Sequence, residues 1–213
     1  MALFATLARM WLTRSWQPFQ FHNEYDQVLP YDECKKMGLY VHIPFCRTLC
    51  DFCPYCKVPY EPERANRYVE NLLQEIRLVC TNHPKREVTS LYFGGGTPAL
   101  LYQRLEEIVQ ELRRYFVITD GIGVELHPSD VTIPVLQDLR RAGVMKLSIG
   151  IQSFQKKYQT LLGRSSVDYS AISAALTKVP FETVSFDFIF ALPGQTISDL
   201  ICDVDLAFQL GAN

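Results

Sequence analysis

The sequence has no excess of basic residues, no long apolar run and no even set of spaced cysteines. Its 21 lysines and arginines are outnumbered by 23 acidic residues, for a formal net charge of −2, so the basic excess that binds nucleic acid is missing. It contains no run of about 20 apolar residues, the length that a membrane-spanning helix needs. The seven cysteines are odd in number and four of them fall within residues 46–56. This clustering favours a metal site in a reducing compartment over a disulfide framework.

The first 23 residues contain no acidic residue but include Arg9 and Arg14 among apolar residues. This composition resembles an amphipathic leader or a transit peptide, and the alternative is an arm that packs on the rest of the chain. We therefore expect residues 1–38 to form an N-terminal arm or leader. The expected location is the cytoplasm, or an organelle if residues 1–23 are a transit peptide.

From residue 39 onward, short apolar runs alternate with longer stretches of helical periodicity. The runs are rich in β-branched and aromatic residues, and they predict buried parallel strands at 39–44, 88–93, 122–126, 145–150 and 183–190. Helices are predicted at 63–79, 101–115, 132–142, 154–161, 168–177 and 196–210. Repeated strand–helix units predict an α/β fold with a parallel sheet, namely a partial (β/α) TIM-type barrel of about five units.

The sequence stops at Asn213, after the last predicted helix and before any further strand. The apolar residues of that helix, such as Ile197, Ile201 and Phe208, need a partner, and so does the edge of the fifth strand. We therefore expect residues 39–213 to be a barrel core truncated at its C-terminus, without a sixth unit and a C-terminal region.

Three cysteines with CxxxCxxC spacing, Cys46, Cys50 and Cys53, follow the first predicted strand. Thiolates at this spacing on one loop can ligate three irons of a [4Fe–4S] cluster and leave the fourth iron open, as catalytic metal sites do. Barrel enzymes also place their chemistry at the ends of parallel strands. The motif thus predicts an open iron–sulfur site. The alternatives are closed sites with Cys56 as the fourth ligand, which would hold zinc or a cluster.

Five motifs, in order along the chain, resemble those of the oxygen-independent coproporphyrinogen III dehydrogenase group of radical S-adenosylmethionine (SAM) proteins. They are Tyr40-Val-His-Ile-Pro-Phe-Cys46, Phe93-Gly-Gly-Gly-Thr-Pro98, Gly123-Val-Glu-Leu-His-Pro128, Ser148-Ile-Gly-Ile-Gln-Ser-Phe154 followed by Leu162-Gly-Arg164, and Phe186-Asp-Phe-Ile-Phe-Ala-Leu-Pro-Gly-Gln195. This group also contains haem chaperones and anaerobic haem-degrading methyltransferases. The resemblance covers residue 39 to the end and implies a barrel of the radical SAM kind.

The resemblance implies a [4Fe–4S] cluster on Cys46, Cys50 and Cys53, with SAM bound beside it. The residues implied to contact SAM are Tyr40, Phe52, Gly95, Gly96, Thr97, Glu125, Gln152, Arg164, Asp187 and Ile189. The glycine turn would meet the amino-acid end of SAM through free amides, and Glu125 would accept from the ribose hydroxyls. Asp187 would be buried in an aromatic strand and face the cofactor, or make a structural hydrogen bond.

Two histidines near these motifs have no single assignment. His42 is either a core histidine or a support for the cysteine loop, and His127 is either structural or part of the site. The remaining cysteines, Cys34, Cys80 and Cys202, are expected to be small buried residues.

The implied reaction is reductive cleavage of SAM to methionine and a 5′-deoxyadenosyl radical, which abstracts a hydrogen atom from the substrate. An electron donor such as a flavodoxin or ferredoxin is expected, and the implied substrate is a tetrapyrrole or another small molecule.

Cys56 departs from the pattern, because the dehydrogenases place an extra cysteine two residues after the third ligand rather than three. This favours haem utilisation over coproporphyrinogen III oxidation. The alternatives are a non-catalytic haem chaperone on the same scaffold and an inactive fragment without the substrate region. The sequence assigns no catalytic residue.

Overall fold

A computed structural model describes residues 34, 36–81 and 83–213. The chain divides into two compact units, and the described elements belong to the second, Lys36–Asn213. The predicted arm over residues 1–38 lies mostly outside the described residues, so the description begins with the first strand.

The fold is built on a five-stranded parallel sheet. The strands are β1 (Leu39–Ile43), β2 (Phe45–Cys46), β3 (Val58–Pro59), β4 (Arg86–Val88), β5 (Leu91–Gly95), β6 (Phe116–Ile118), β7 (Ile122–Leu126), β8 (Val144–Gln152) and β9 (Thr183–Phe188). The main sheet has the order β1-β5-β7-β8-β9, and every pairing in it is parallel. Spatial order follows chain order, which confirms the predicted partial barrel of βα units.

Within the described residues, six helices connect or follow the strands. They are α1 (Pro62–Cys80), α2 (Tyr102–Tyr115), α3 (Ile133–Arg141), α4 (Lys156–Leu161), α5 (Tyr169–Lys178) and α6 (Ile197–Leu210). Short 3₁₀ turns at Pro98–Leu101 and Pro128–Asp130 precede α2 and α3. Each predicted helix is confirmed with its ends within two residues. In α1 and α2 the apolar spacing that predicted the helix is the face that it buries.

The two faces of the sheet differ in polarity. Side chains alternate along a strand, so Val41, Phe93, Val124, Leu147 and Val184 share one face and are buried. The opposite face carries Tyr40, His42, Tyr92, Glu125, Ser148 and Asp187. The apolar face belongs to the core cluster that the helices complete. The polar face is therefore the one available for a site.

The strand predictions were less accurate at their ends than the helix predictions. The strand predicted at 88–93 is interrupted at Thr89 and Ser90, between β4 and β5. The strand predicted at 183–190 ends at Phe188. Two small parallel pairs, β2 with β3 and β4 with β6, were not predicted, because strands of two or three residues are too short to carry a hydrophobic period.

Helix α6 presents apolar side chains to solvent within this unit. Ile197 is 81% exposed and Phe208 is 65% exposed, while Ala207 and Leu210 are buried. On the other side of the helix, Asp203 is buried and accepts hydrogen bonds from Ser153 Oγ at 2.7 Å and Phe154 N at 3.0 Å. These two bonds fix α6 to the chain that leaves β8. Within the described residues, no helix combines the length and the apolarity that a membrane span requires.

Candidate metal centre and cofactor site

The cysteine loop leaves the main sheet at the carboxyl end of β1. It begins at Cys46 in β2 and returns at β3, where Phe45 pairs with Val58 and Cys46 with Pro59. Val58 N donates to Pro44 O at 2.8 Å, and Tyr60 N donates to Cys46 O at 2.9 Å. The β2–β3 pair thus closes the loop at its base.

The three predicted ligands are free, partly buried thiols on this loop. Cys53 N donates to Cys50 O at 3.3 Å, which folds the second half of the motif into a turn. Burial raises the pKa of Cys46, and the charges of Cys53 and Cys50 raise it further, while Thr97 and Lys57 lower it. Ionising Cys46 in this position is therefore unfavourable, and a bound cation would offset that cost.

No group of three or more His, Cys, Asp or Glu side chains within the described part of the chain is arranged to hold a single metal ion. The sequence left a closed four-cysteine site as an alternative. Cys56, the fourth cysteine of that alternative, is exposed. Among the remaining cysteines Cys80 is buried as predicted, whereas the prediction is wrong for Cys34 and Cys202, which are exposed.

His42 fastens the far end of the cysteine loop to β1. Its Nε2 donates to the carbonyl oxygen of Cys56 at 2.9 Å, and its Nδ1 lies 3.1 Å from the Tyr40 hydroxyl. Because a carbonyl oxygen can only accept, the neutral ring carries its proton on Nε2 and accepts from Tyr40 at Nδ1. Of the two predicted alternatives for His42, the structure has the loop support.

Arg47 connects the near end of the loop to the turn after β7. Its Nη1 donates to Asp130 Oδ1, and Asp130 is only 3% exposed. Burial raises the pKa of Asp130, and the Arg47 guanidinium opposes that shift. The second oxygen, Oδ2, has no hydrogen-bond partner among the described residues. The pair fixes the position of the residue that follows Cys46.

The glycine turn after β5 packs directly against the cysteine loop. A Cβ at Gly96 would lie 2.6 Å from Phe45 O and 2.9 Å from Cys46 Sγ, and one at Gly95 would lie 2.6 Å from His42 Cε1. The structure contradicts the expectation that this turn leaves free amides. Gly95 N donates to Glu125 Oε2 at 3.0 Å, Gly96 N to Ile43 O at 2.8 Å and Thr97 N to Phe45 O at 2.7 Å.

Glu125 lies at the carboxyl end of β7 and is partly buried. Burial raises its pKa and the charge of Asp187 adds to that rise, whereas bonds from Gly95 N and Tyr92 lower it. Asp187 was expected to be buried, and it is exposed because β9 is an edge of the described sheet. Its Oδ2 accepts from Ser148 Oγ at 2.5 Å. The two carboxyl groups share the polar face of the sheet.

Arg164, Gln152 and Phe52 meet beyond the end of β8. The Arg164 Cζ lies 5.7 Å from the centre of the Phe52 ring, which brings α4's exit turn to the cysteine loop. A Cβ at Gly150 would lie 3.0 Å from Gln152 Nε2 and 3.8 Å from Arg164 Nη2. The Gln152 and Arg164 side chains therefore both lie next to Gly150. The Nε and Nη1 of Arg164 are buried and have no hydrogen-bond partner among the described residues. This guanidinium can accept an anion without losing an existing bond.

His127 lies close to two arginines. Burial, followed by the charges of Arg164 and Arg47, lowers the pKa of His127 to about 4. Its Nδ1 lies 2.7 Å from Ser129 Oγ and accepts from Ser129 N at 3.2 Å. His127 is thus neutral at physiological pH and caps the turn at Pro128–Asp130.

Three further contacts involve predicted cofactor residues. Thr97 Oγ1 lies 3.9 Å from Cys46 Sγ, Tyr40 stacks on Tyr92 at 6.4 Å between ring centres, and Ile189 N donates to Gln152 O at 2.9 Å. Sequence reasoning missed Lys57, Tyr92, Ser148 and the Arg47–Asp130 pair. Tyr92 and Ser148 occupy inward positions of predicted strands, so strand alternation could have identified them.

The chain is similar to known proteins over most of its length. A model of the radical SAM superfamily matches residues 40–207. The oxygen-independent coproporphyrinogen III oxidase of Salmonella typhimurium is 37% identical over 169 residues, which are 76% of this chain and 37% of that protein. The heme chaperone HemW of Lactococcus lactis is 29% identical over 181 residues, which are 83% of this chain and 47% of that protein.

A solved structure shows the same similarity. The coproporphyrinogen III oxidase HemN of Escherichia coli, a radical SAM enzyme, superposes with a TM-score of 0.73 at 32% identity. The match covers 83% of this chain and 42% of that one. The chain therefore spans less than half the length of these relatives.

The packing of the glycine turn can be tested with Gly95→Ala. At Gly95 the backbone has φ +119°, and a methyl group would displace the His42 ring. We expect a loss of about 2–4 kcal/mol in the free energy of unfolding, from backbone strain and overpacking together. The control is Gly163→Ala, where φ is +65° and nothing lies within 4 Å of the added methyl. That control should lose about 1 kcal/mol. Equal losses in urea denaturation would contradict the packing described.

Proposed function

The chain belongs to the radical SAM superfamily, and from this we propose that it cleaves SAM reductively at a [4Fe–4S] cluster held by Cys46, Cys50 and Cys53. Members of this superfamily bind a [4Fe–4S] cluster and SAM. The observation that best supports the proposal is the position of three free, partly buried thiols on one loop at the carboxyl edge of the parallel sheet. When bound, the cluster supplies the electron that breaks a carbon–sulfur bond of SAM, which gives methionine and a 5′-deoxyadenosyl radical.

The donor set fits this cofactor. Three thiolates ligate three irons, and the fourth iron stays open for SAM. The β2–β3 pair, His42 and Arg47 hold the loop at its base and at both ends. The unfavourable burial of the Cys46 thiolate is offset once iron is bound, because the metal charge stabilises the thiolate.

Arg164 provides the clearest fit for the amino-acid end of SAM. Two of its buried nitrogen atoms lack a hydrogen-bond partner among the described residues, and the carboxylate of SAM is an anion of the right kind. Gln152 lies beside it and would add a neutral donor. Because the amides of Gly95, Gly96 and Thr97 donate within the protein, any contact of this turn with SAM uses other groups, such as the Thr97 hydroxyl.

The nucleoside end of SAM would lie along the polar face of the sheet. Glu125 and Asp187 are acceptors there, and hydroxyl groups of a ribose are matching donors. Phe52 offers a ring face for the adenine, and Tyr40 and Ile189 border the same region. In this role the chain's residues would orient SAM.

We propose a tetrapyrrole as the substrate class, from the similarity to coproporphyrinogen III oxidases and to heme chaperones. The displaced Cys56 favours haem utilisation over coproporphyrinogen III oxidation. A flavodoxin or ferredoxin would provide the electron. A haem chaperone is the second candidate, supported by the similarity to HemW over 83% of the chain.

Replacement of the cysteines tests the ligand set. Anaerobic reconstitution should give about four irons per chain, and Cys46→Ala, Cys50→Ala or Cys53→Ala should abolish cluster assembly. Cys56→Ala is the matched control, because Cys56 is exposed on the same loop and should not be needed. Iron and sulfide analysis with the visible absorption spectrum measures this. A requirement for Cys56 would identify a closed site and contradict the proposal.

The reaction is tested by product analysis. The reconstituted protein, with SAM and dithionite, should form 5′-deoxyadenosine and methionine, and more of both when the substrate is added. Coproporphyrinogen III and haem are assayed in parallel, with Cys50→Ala as the blank. Increased SAM cleavage together with loss of the added haem supports haem utilisation. Haem binding without any increase in SAM consumption would identify a chaperone instead.

A further inference from the structure

Lys57 lies at the end of the cysteine loop. It follows Cys53 by four residues and directly precedes β3. Its side chain is partly buried, which is uncommon for lysine and points to specific partners.

Its partners are backbone atoms of the proposed iron ligands. The Nζ donates to Cys53 O at 2.7 Å and also donates to Cys50 O. One ammonium therefore joins the two halves of the CxxC turn. Hydrogen bonds from a charged donor are stronger than neutral ones, so these two bonds fix the orientation of both cysteines.

The Lys57 ammonium is a positive charge within hydrogen-bond distance of the backbone of two proposed iron ligands, so it favours negative charge at this loop. By contrast, the Arg47 guanidinium is bonded to the Asp130 carboxylate, which offsets its charge.

We propose that Lys57 is a positioning residue for the cluster, holding Cys50 and Cys53 by their carbonyls and raising the reduction potential of the cluster through its charge. This inference rests on the proposed [4Fe–4S] site. In the step concerned, one electron from an external reductant enters the cluster, no bond is made or broken, and no proton moves. Reduction adds negative charge to an already anionic group, so a nearby fixed cation favours it.

The test is a redox titration of the reconstituted protein without SAM, using dithionite and mediators and following the electron paramagnetic resonance (EPR) signal of the reduced cluster. Lys57→Gln should lower the reduction equilibrium constant at least tenfold, which is about 59 mV for a one-electron couple. Lys57→Arg keeps the charge and should stay close to the wild-type potential. Lys178→Gln, an exposed lysine in the last turn of α5, changes the net charge equally and should have no effect.

Each outcome decides the proposal. A wild-type potential in Lys57→Gln overturns it. If Lys57→Gln assembles no cluster while Lys57→Arg does, the charge is needed at the loop and the proposal stands. If neither variant assembles a cluster, the side chain has only a shape role and the proposal is overturned. Failure of the wild-type protein itself to assemble a cluster would contradict the proposed function, not the role of Lys57.

Discussion

The cysteine loop can lie against the end of β5 because residues 94–96 carry no side chains. A Cβ at any of the three glycines would come within 3 Å of the first strand or the cysteine loop. The amides of this turn donate hydrogen bonds to the Glu125 carboxylate and to the carbonyl oxygens of Ile43 and Phe45. The turn therefore joins three parts of the site. The position of the thiols, the carboxylate of Glu125 and the support from His42 all depend on this close approach.

Burial makes negative charge unfavourable at several points of the site. It raises the pKa of Cys46, Glu125 and Asp130, and it is the largest cause in each case. A buried anion is stabilised by a bound cation, and iron and a sulfonium are both cationic. At Arg164 the charge is positive, and the buried Nε and Nη1 have no hydrogen-bond partner among the described residues. The site is thus electrostatically complementary to a cationic metal centre and to a ligand that carries a carboxylate.

Sequence reasoning predicted what depends on periodicity and on ligand spacing. The strand at Ile122–Leu126 was predicted with its observed bounds, and the cysteine triad follows the strand it was assigned to. It failed where a contact joins residues far apart in the chain. Arg47 and Asp130 are 83 positions apart, and no local pattern links them. The occupied amides of Gly96 and Thr97 and the exposure of Asp187 at an edge strand likewise follow from tertiary packing.

The central claim is that the cysteine loop holds a cluster with an iron open to SAM. It is tested most directly by recording the EPR spectrum of the reduced, reconstituted protein during a titration with SAM. If one iron is open to SAM, SAM changes the spectrum. Arg164→Gln should then require at least tenfold more SAM for half of the change, since a hydrogen bond from a charged group contributes about 1.5–3 kcal/mol. A spectrum that stays the same at saturating SAM, in a protein with a full complement of iron, would contradict the account.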